Sequence, residues 1–215
     1  MKFETLIFDF DGTLADTRKS IIKTMQKTLN YFKIYSIPDE KIIKLIGIPL
    51  KETFESITDL KGEDLNNAMA KYRSYYSKIS FETVTLFPKV KDTLEALKRN
   101  NIKLGVASSR GKKSLLLLLK NLEISSLFSF IGAEDDVINK KPAPDTVNLG
   151  MKKMQSSNSS TLVIGDTIYD VQMGQGAGCR TCAVTYGNNT VEELNEYKPD
   201  YIISDFSELL KIVIL

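Results

Sequence analysis

Two hydrophobic periods alternate along this chain and divide it into three stretches. The first is brief. Leu6-Ile7-Phe8-Asp9-Phe10 is an apolar run interrupted by one acid, and it ends in turn chemistry at Asp11-Gly12. From Asp16 to Glu82 the period becomes that of a helix. Ile21, Ile22, Met25 and Leu29 recur at helical spacing, as do Ile42, Ile43 and Ile46, and then Leu65, Met69, Tyr72 and Tyr76. Pro38 and Gly47 punctuate this stretch. After Phe87-Pro88, strand and helix signals alternate. Val90, Leu94 and Leu97 predict one helix face and Leu115–Leu122 another helix. Ile102–Ala107, Phe128–Ile131, Thr161–Gly165, Arg180–Val184 and Asp200–Ile203 predict strands, and Leu209–Leu215 closes the pattern.

Short apolar strands alternating with helices predict a parallel sheet covered on both faces, a Rossmann-like α/β core. The helical block after the first strand predicts a second, smaller domain. The expected division is a core of residues 1–15 plus 84–215 and a helical insert of residues 16–83.

Composition narrows the chemistry mainly by what is missing. The chain has 215 residues and no histidine. The commonest general base near neutral pH is therefore absent, and Ser-His-Asp and Cys-His arrangements are excluded. A formal net charge of +2 offers no basic face for nucleic acid. The longest apolar run, Leu115–Leu119, is too short for a membrane span, and Met1-Lys2-Phe3-Glu4-Thr5 does not read as a secretory signal. With two cysteines, a reducing cytoplasm is the expected setting. Cys179 and Cys182 form a lone Cys-x-x-Cys at the start of a strand. Two thiols and no histidine cannot complete a zinc site, so they read as buried small residues.

In an open parallel sheet, ligands bind at the carboxyl ends of the strands. There the sequence places Asp9 and Asp11, Ser108 and Ser109, Lys140 and Lys141, Asp166, and Asp170 one helical turn later. Oxygen ligands from Asp9 and Asp166, with Asp170 as a third, suit Mg²⁺. A hydroxyl, an ammonium and backbone N–H groups suit phosphate oxygens. An ionised aspartate is already nucleophilic and can form an aspartyl-phosphate. With no histidine available, Asp11 is the candidate to move protons to the leaving group and from water.

Asp9-Phe10-Asp11-Gly12-Thr13, then Ser108, then Lys141-Pro142-Ala143-Pro144-Asp145, then Gly165-Asp166-Thr167-Ile168-Tyr169-Asp170 resemble the four ordered motifs of the haloacid dehalogenase superfamily. The resemblance covers nearly the whole chain and is nearest the phosphoglycolate-phosphatase-like branch with a helical cap. It implies that Asp9 is nucleophile and metal ligand, and that Asp11 is the general acid/base and lends a backbone carbonyl to the metal. It further implies that Ser108 and Lys141 bind phosphate, with Ser109 the alternative to Ser108, and that Gly12 and Thr13 shape the phosphate loop. Asp166 becomes a direct Mg²⁺ ligand, while Asp170 acts through water or orients Lys141. Asp11 argues against dehalogenation. Leu50, three residues after Gly47, stands where the mutase branch usually carries arginine, which weakens a β-phosphoglucomutase-like reading.

The expected activity is thus Mg²⁺-dependent hydrolysis of a small phosphorylated metabolite, with phosphoglycolate the first guess. Pyrophosphatase, nucleotidase and phosphomutase activities are the alternatives. A phospho-acceptor signalling domain would use a similar set of residues, but Asp11 beside Asp9 favours turnover. Substrate choice is expected to reside in the helical insert, where Lys51, Arg73 and the Tyr72/Tyr75/Tyr76 cluster are candidates with simpler surface or packing readings. Arg110 is a further candidate for the phosphate. The sequence carries no signal for an oligomeric state.

Overall fold

A computed structural model describes residues 3–214, apart from the side chains at 81 and 82; Met1, Lys2 and Leu215 lie outside it. In chain order the elements are β1 (Thr5–Phe8), β2 (Ala15–Asp16), α1 (Arg18–Tyr31), α2 (Asp39–Ile43), α3 (Leu50–Ile57), α4 (Gly62–Thr83), β3 (Thr85–Leu86), α5 (Val90–Arg99), β4 (Lys103–Ala107), α6 (Lys112–Asn121), β5 (Phe130–Gly132), α7 (Asp145–Met154), β6 (Thr161–Gly165), α8 (Ile168–Gly176), β7 (Arg180–Val184), α9 (Val191–Glu196), β8 (Tyr201–Ile203) and α10 (Leu209–Val213).

Six strands form one parallel sheet in the order β5-β4-β1-β6-β7-β8. Period-two alternation sends side chains to two separate cores. Leu6, Phe8, Leu104, Val106, Leu162 and Ile164 face one core, while Ile7, Ala107 and Val163 face the other, shared with Val147, Met154 and Met173 from α7 and α8. This is the doubly covered α/β architecture that the apolar runs predict. The sheet is built outward from β1 in both directions, so the crevice where strand order reverses lies between β1 and β6.

The chain leaves the core through β2 and re-enters through β3. These two strands pair antiparallel, Ala15 with Leu86 and Asp16 with Thr85. Between them, α1 packs along α4, and α2 and α3 complete a helical layer. The period read through Ile46 overshoots the helix, because α2 ends at Ile43. Gly47 follows with φ +109°, and Ile48 precedes a proline, a position biased against the helical region. The strand expected at Phe128–Ile131 begins two residues late, after a 3₁₀ turn over Ser125–Leu127. Cys179 and Cys182 are free and buried, and burial pushes the Cys179 thiol up to about 11. Among the described residues no helix is long and apolar enough to cross a membrane.

Helix α8 sits close to the sheet because Gly174 lets it. A Cβ there would lie 2.6 Å from Thr181 Cγ2 and 2.9 Å from Val163 Cβ. Alanine would add about 1 kcal/mol of helix propensity, but the short, branched neighbours cannot retreat, and overpacking costs about 1–3 kcal/mol. Gly174→Ala is therefore expected to lower stability in urea unfolding. An unchanged or higher midpoint would show that the helix–sheet spacing adjusts freely.

Candidate active site

The strand ends place polar side chains at the crevice. Asp9 directly follows β1, and its N–H still donates to Ile164 of β6, 2.8 Å away. The chain then turns back, with Leu14 and Ala15 both donating to the carbonyl of Phe10. Gly12 holds this turn at φ +91°. A Cβ there would meet Asp166 Oδ2 at 2.2 Å, so both the backbone angle and the close approach of β6 require glycine.

Lys141 binds the site together. Its ammonium donates to Asp9 Oδ1 at 2.7 Å and Asp170 Oδ1 at 2.6 Å, with the Ala107 carbonyl at 3.4 Å. All three charged residues are at most 5% exposed. The two carboxylates hold the Lys141 pKa above its ordinary value although burial pulls it down. Lys140 leaves the site and donates to Glu134 at 3.3 Å. Asp170 also serves as the third residue of α8. Its Oδ2 accepts from the N–H and the hydroxyl of Thr167, at 3.0 and 2.6 Å. This is the helix-opening half of a capping box.

Asp166 is completely buried and fully bonded. Oδ1 accepts from the Thr13 hydroxyl at 2.9 Å, and Oδ2 accepts from both the backbone and the side-chain nitrogen of Asn188 at 2.8 Å. Ligating oxygens of Asp9, Asp166 and Asp170 lie within 4.8 Å of one another. Burial pushes the Asp166 carboxyl up to about 7, with the charge of Asp170 adding to it and Asn188, Thr13 and Lys141 opposing. Asp9 is also raised well above its ordinary range. Burial is the main cause, Lys141 pulls against it, and Asp170, Asp166 and Asp11 reinforce it.

Three buried carboxylates thus face one ammonium. The unbalanced charge and the all-oxygen donor set fit a hard divalent cation such as Mg²⁺. Asp9, Asp166 and Asp170 are the residues that would hold it. The Asp11 carboxylate is not among them.

Asp11 turns instead to Arg110. The guanidinium grips both carboxylate oxygens, through Nε at 3.0 Å to Oδ2 and through Nη2 to Oδ1. Nη1 donates to Ser114, and the cation lies 4.4 Å from the centre of the Tyr76 ring. Ser108 is buried at the cavity wall, and its hydroxyl accepts the Arg110 N–H at 3.2 Å. Ser109, the alternative phosphate binder, spends its hydroxyl on the Gly47 carbonyl at 2.7 Å, fastening the α2–α3 turn to the core. The Thr13 hydroxyl is likewise committed, to Asp166. Lys51 lies on the surface, paired with Glu55, and Tyr75 stacks under Lys27 and Lys71. Arg73, Tyr72 and Tyr76 do line the cavity above Asp9 and Asp11.

Asn188, which no motif marks, has the largest part in the site among residues the sequence reading left out. It lies in the loop after β7, and the strand-end rule extended to that strand would have reached it. Arg110, a candidate for phosphate in the sequence, is brought by the fold to hold Asp11.

Comparison with known proteins agrees with this fold. The family model described as haloacid dehalogenase-like hydrolase matches residues 6–184. A protein named pyrophosphatase PpaX from Oceanobacillus iheyensis is 34% identical over 213 residues, 99% of this chain and 98% of its own length. A PpaX pyrophosphatase from Bacillus pumilus is 33% identical over 97% of this chain and 95% of its own. A solved haloacid dehalogenase-like family hydrolase from Streptococcus pneumoniae superposes with a TM-score of 0.86 at 27% identity, covering 98% of each chain. A structure described as a predicted phosphoglycolate phosphatase from Haemophilus somnus reaches 0.90 at 25% identity, covering 99% and 98%. A parallel sheet with the motif carboxylates gathered at its switch point, matched along almost its whole length by these relatives, belongs to the haloacid dehalogenase-like hydrolases.

Proposed function

We propose that this chain is a Mg²⁺-dependent cytoplasmic phosphatase that hydrolyses a small phosphate monoester through an aspartyl-phosphate on Asp9. The observation that carries the reading is the state of the Asp9 carboxylate. Lys141 fixes one oxygen at 2.7 Å, and among the described residues no donor occupies the other. A buried carboxylate held by one oxygen at the sheet's switch point is oriented for attack without a base.

In this reading Asp9 Oδ2 attacks phosphorus and the bond to the alcohol oxygen breaks. Asp11, protonated once Arg110 has let go of its carboxylate, supplies the alcohol with that proton and then regains one from the water that cleaves the acyl-phosphate. Arg110 keeps Asp11 at the rim and must loosen its two-pronged grip when the proton moves. Ser108, the N–H of Thr13 and Lys141 receive the phosphate oxygens, while the N–H of Gly12 stays on the Ala15 carbonyl. Bound Mg²⁺ offsets the repulsion between the phosphate and the carboxylates. Helices α1–α4, inserted between residues 15 and 84, act as a cap that shields the site from bulk water.

A pyrophosphatase reading is the second, favoured by the relative at 34% identity. A mutase is disfavoured, because Leu50 brings an apolar side chain to the cavity where that branch carries a cation.

Three outcomes are expected. Asp9→Asn abolishes release of phosphate from an aryl phosphate while the circular dichroism spectrum stays native; activity near wild type would remove Asp9 from the chemistry. Asp11→Asn lowers kcat about 10²- to 10⁴-fold, the usual worth of general acid–base help, and a change below threefold would assign the proton to another group. Mg²⁺ at 100 times its Kd stabilises the fold by about 2.7 kcal/mol, a rise in Tm of about 5–10 °C for a chain this long. Asp166→Asn should erase that rise, and its persistence would place the ion elsewhere.

A further inference from the structure

The space above Asp9 is chemically lopsided. A cavity of about 620 Å³ runs from Asp9, Asp11 and Ser108 up between the core and the helical layer. That volume lies within the range of about 300–1,000 Å³ typical of sites for whole organic ligands. Beyond the strand ends its walls are mainly hydrocarbon. Ile21 and Met25 come from α1, Ile42 and Ile46 from α2 and the turn after it, Leu50 from α3, and Tyr72 from α4. The side chains of Met25, Ile42, Ile46 and Tyr72 are already buried, so this wall is part of the packed interior.

Charge in the same cavity points the same way. The lining holds three cations, Arg73, Arg110 and Lys113, against four carboxylates, Asp9, Asp11, Glu134 and Asp135. Arg110 is committed to both oxygens of Asp11, and Arg73 lies 3.9 Å from Glu134. Lys141, the other cation of the site, is divided between Asp9 and Asp170. Among the described residues Lys113, exposed on α6, is the one lining cation with no carboxylate partner, and the lining as a whole still carries one carboxylate more than its cations. Away from Lys113, a second phosphate, or the carboxylate of phosphoglycolate, would be stripped of water against isoleucine and leucine, which is strongly unfavourable. An apolar body is favoured at the same place, because it trades its own contact with water for contact with that wall.

Building on the phosphatase reading above, we infer that the substrate is a phosphate monoester whose alcohol carries an uncharged apolar body, alkyl or aryl, seated between Met25, Ile42, Ile46 and Leu50. Inorganic pyrophosphate and phosphoglycolate are poor substrates on this view. The body acts by binding, not by being an easier leaving group.

The experiment is a homologous series. Methyl, n-butyl and n-hexyl phosphate have leaving alcohols of nearly equal acidity, so the chemical step is constant while buried hydrocarbon grows. Full burial is worth about fourfold per methylene. kcat/KM is expected to rise at least about tenfold from methyl to n-hexyl phosphate, and n-hexyl phosphate to exceed pyrophosphate and phosphoglycolate assayed in parallel. A flat series, or faster turnover of pyrophosphate or phosphoglycolate, overturns the inference while leaving the phosphatase reading intact. Hydrolysis of none of these phosphates, nor of an aryl phosphate, overturns both. In Ile46→Ser the ratio of n-hexyl to methyl phosphate should fall at least about threefold. The ratio is internal to each preparation, so a partly unfolded variant cannot mimic it, and an unchanged ratio removes this wall from the binding site.

Discussion

The site depends on one buried ammonium. Lys141 arrives on the loop after β5, Asp9 directly after β1, and Asp170 on α8, so three segments distant in sequence meet at a single charge. Removing one member of a buried, hydrogen-bonded ion pair typically costs about 3–5 kcal/mol, because its partner is left charged and dry. Here the stakes are higher, since without Lys141 the three carboxylates of the cluster would face one another with no cation of the chain between them. Lys141 fixes the orientation of Asp9 and is itself fixed by Asp170, which is anchored by the first turn of its helix. The geometry of Asp9 thus follows from the capping of a helix on the other side of the crevice.

The candidate site was legible in the chain because its residues sit where physics restricts them. Asp9, Ser108 and Asp166 each follow an apolar strand, and a parallel sheet exposes only those ends. The strands themselves were easy to read where both faces are buried: Thr161–Gly165 and Arg180–Val184 appear with the boundaries their apolar runs suggest. Less legible was anything set by partners in space. The motif resemblance already favours Lys141 over Lys140, but the reason lies in the fold, where the second points inward to Asp9 and the first reaches Glu134. Arg110 and Asp11 lie 99 residues apart, and no periodicity links them. Asn188 is an ordinary loop amide in sequence, and its two bonds to Asp166 exist only because β6 and β7 are neighbours.

The polar groups of the rim are divided between two tasks. The Thr13 hydroxyl steadies Asp166, Ser109 ties the helical layer to the core, and Arg110 restrains Asp11, so a short stretch around each motif both builds the site and connects it to what lies above. Gly47 takes part from the other side. Its carbonyl accepts from Ser109, and its missing side chain lets the turn approach to within 3.1 Å of Thr167, measured from where a Cβ would stand. Any movement of the helical layer would therefore be felt directly beside Asp9 and Asp170.

The pairing of β2 with β3 has a consequence of another kind. The chain departs and returns at adjacent positions, Ala15 beside Leu86, so the roughly seventy residues between them enter and leave through one narrow neck. Extra length in such a closed loop costs little entropy, about 0.6 kcal/mol for each doubling. The insert can therefore lengthen or shorten while the pairing of β1 with β4 stays the same. The ribbon is in effect a graft junction, where a change of length above leaves the sheet below undisturbed.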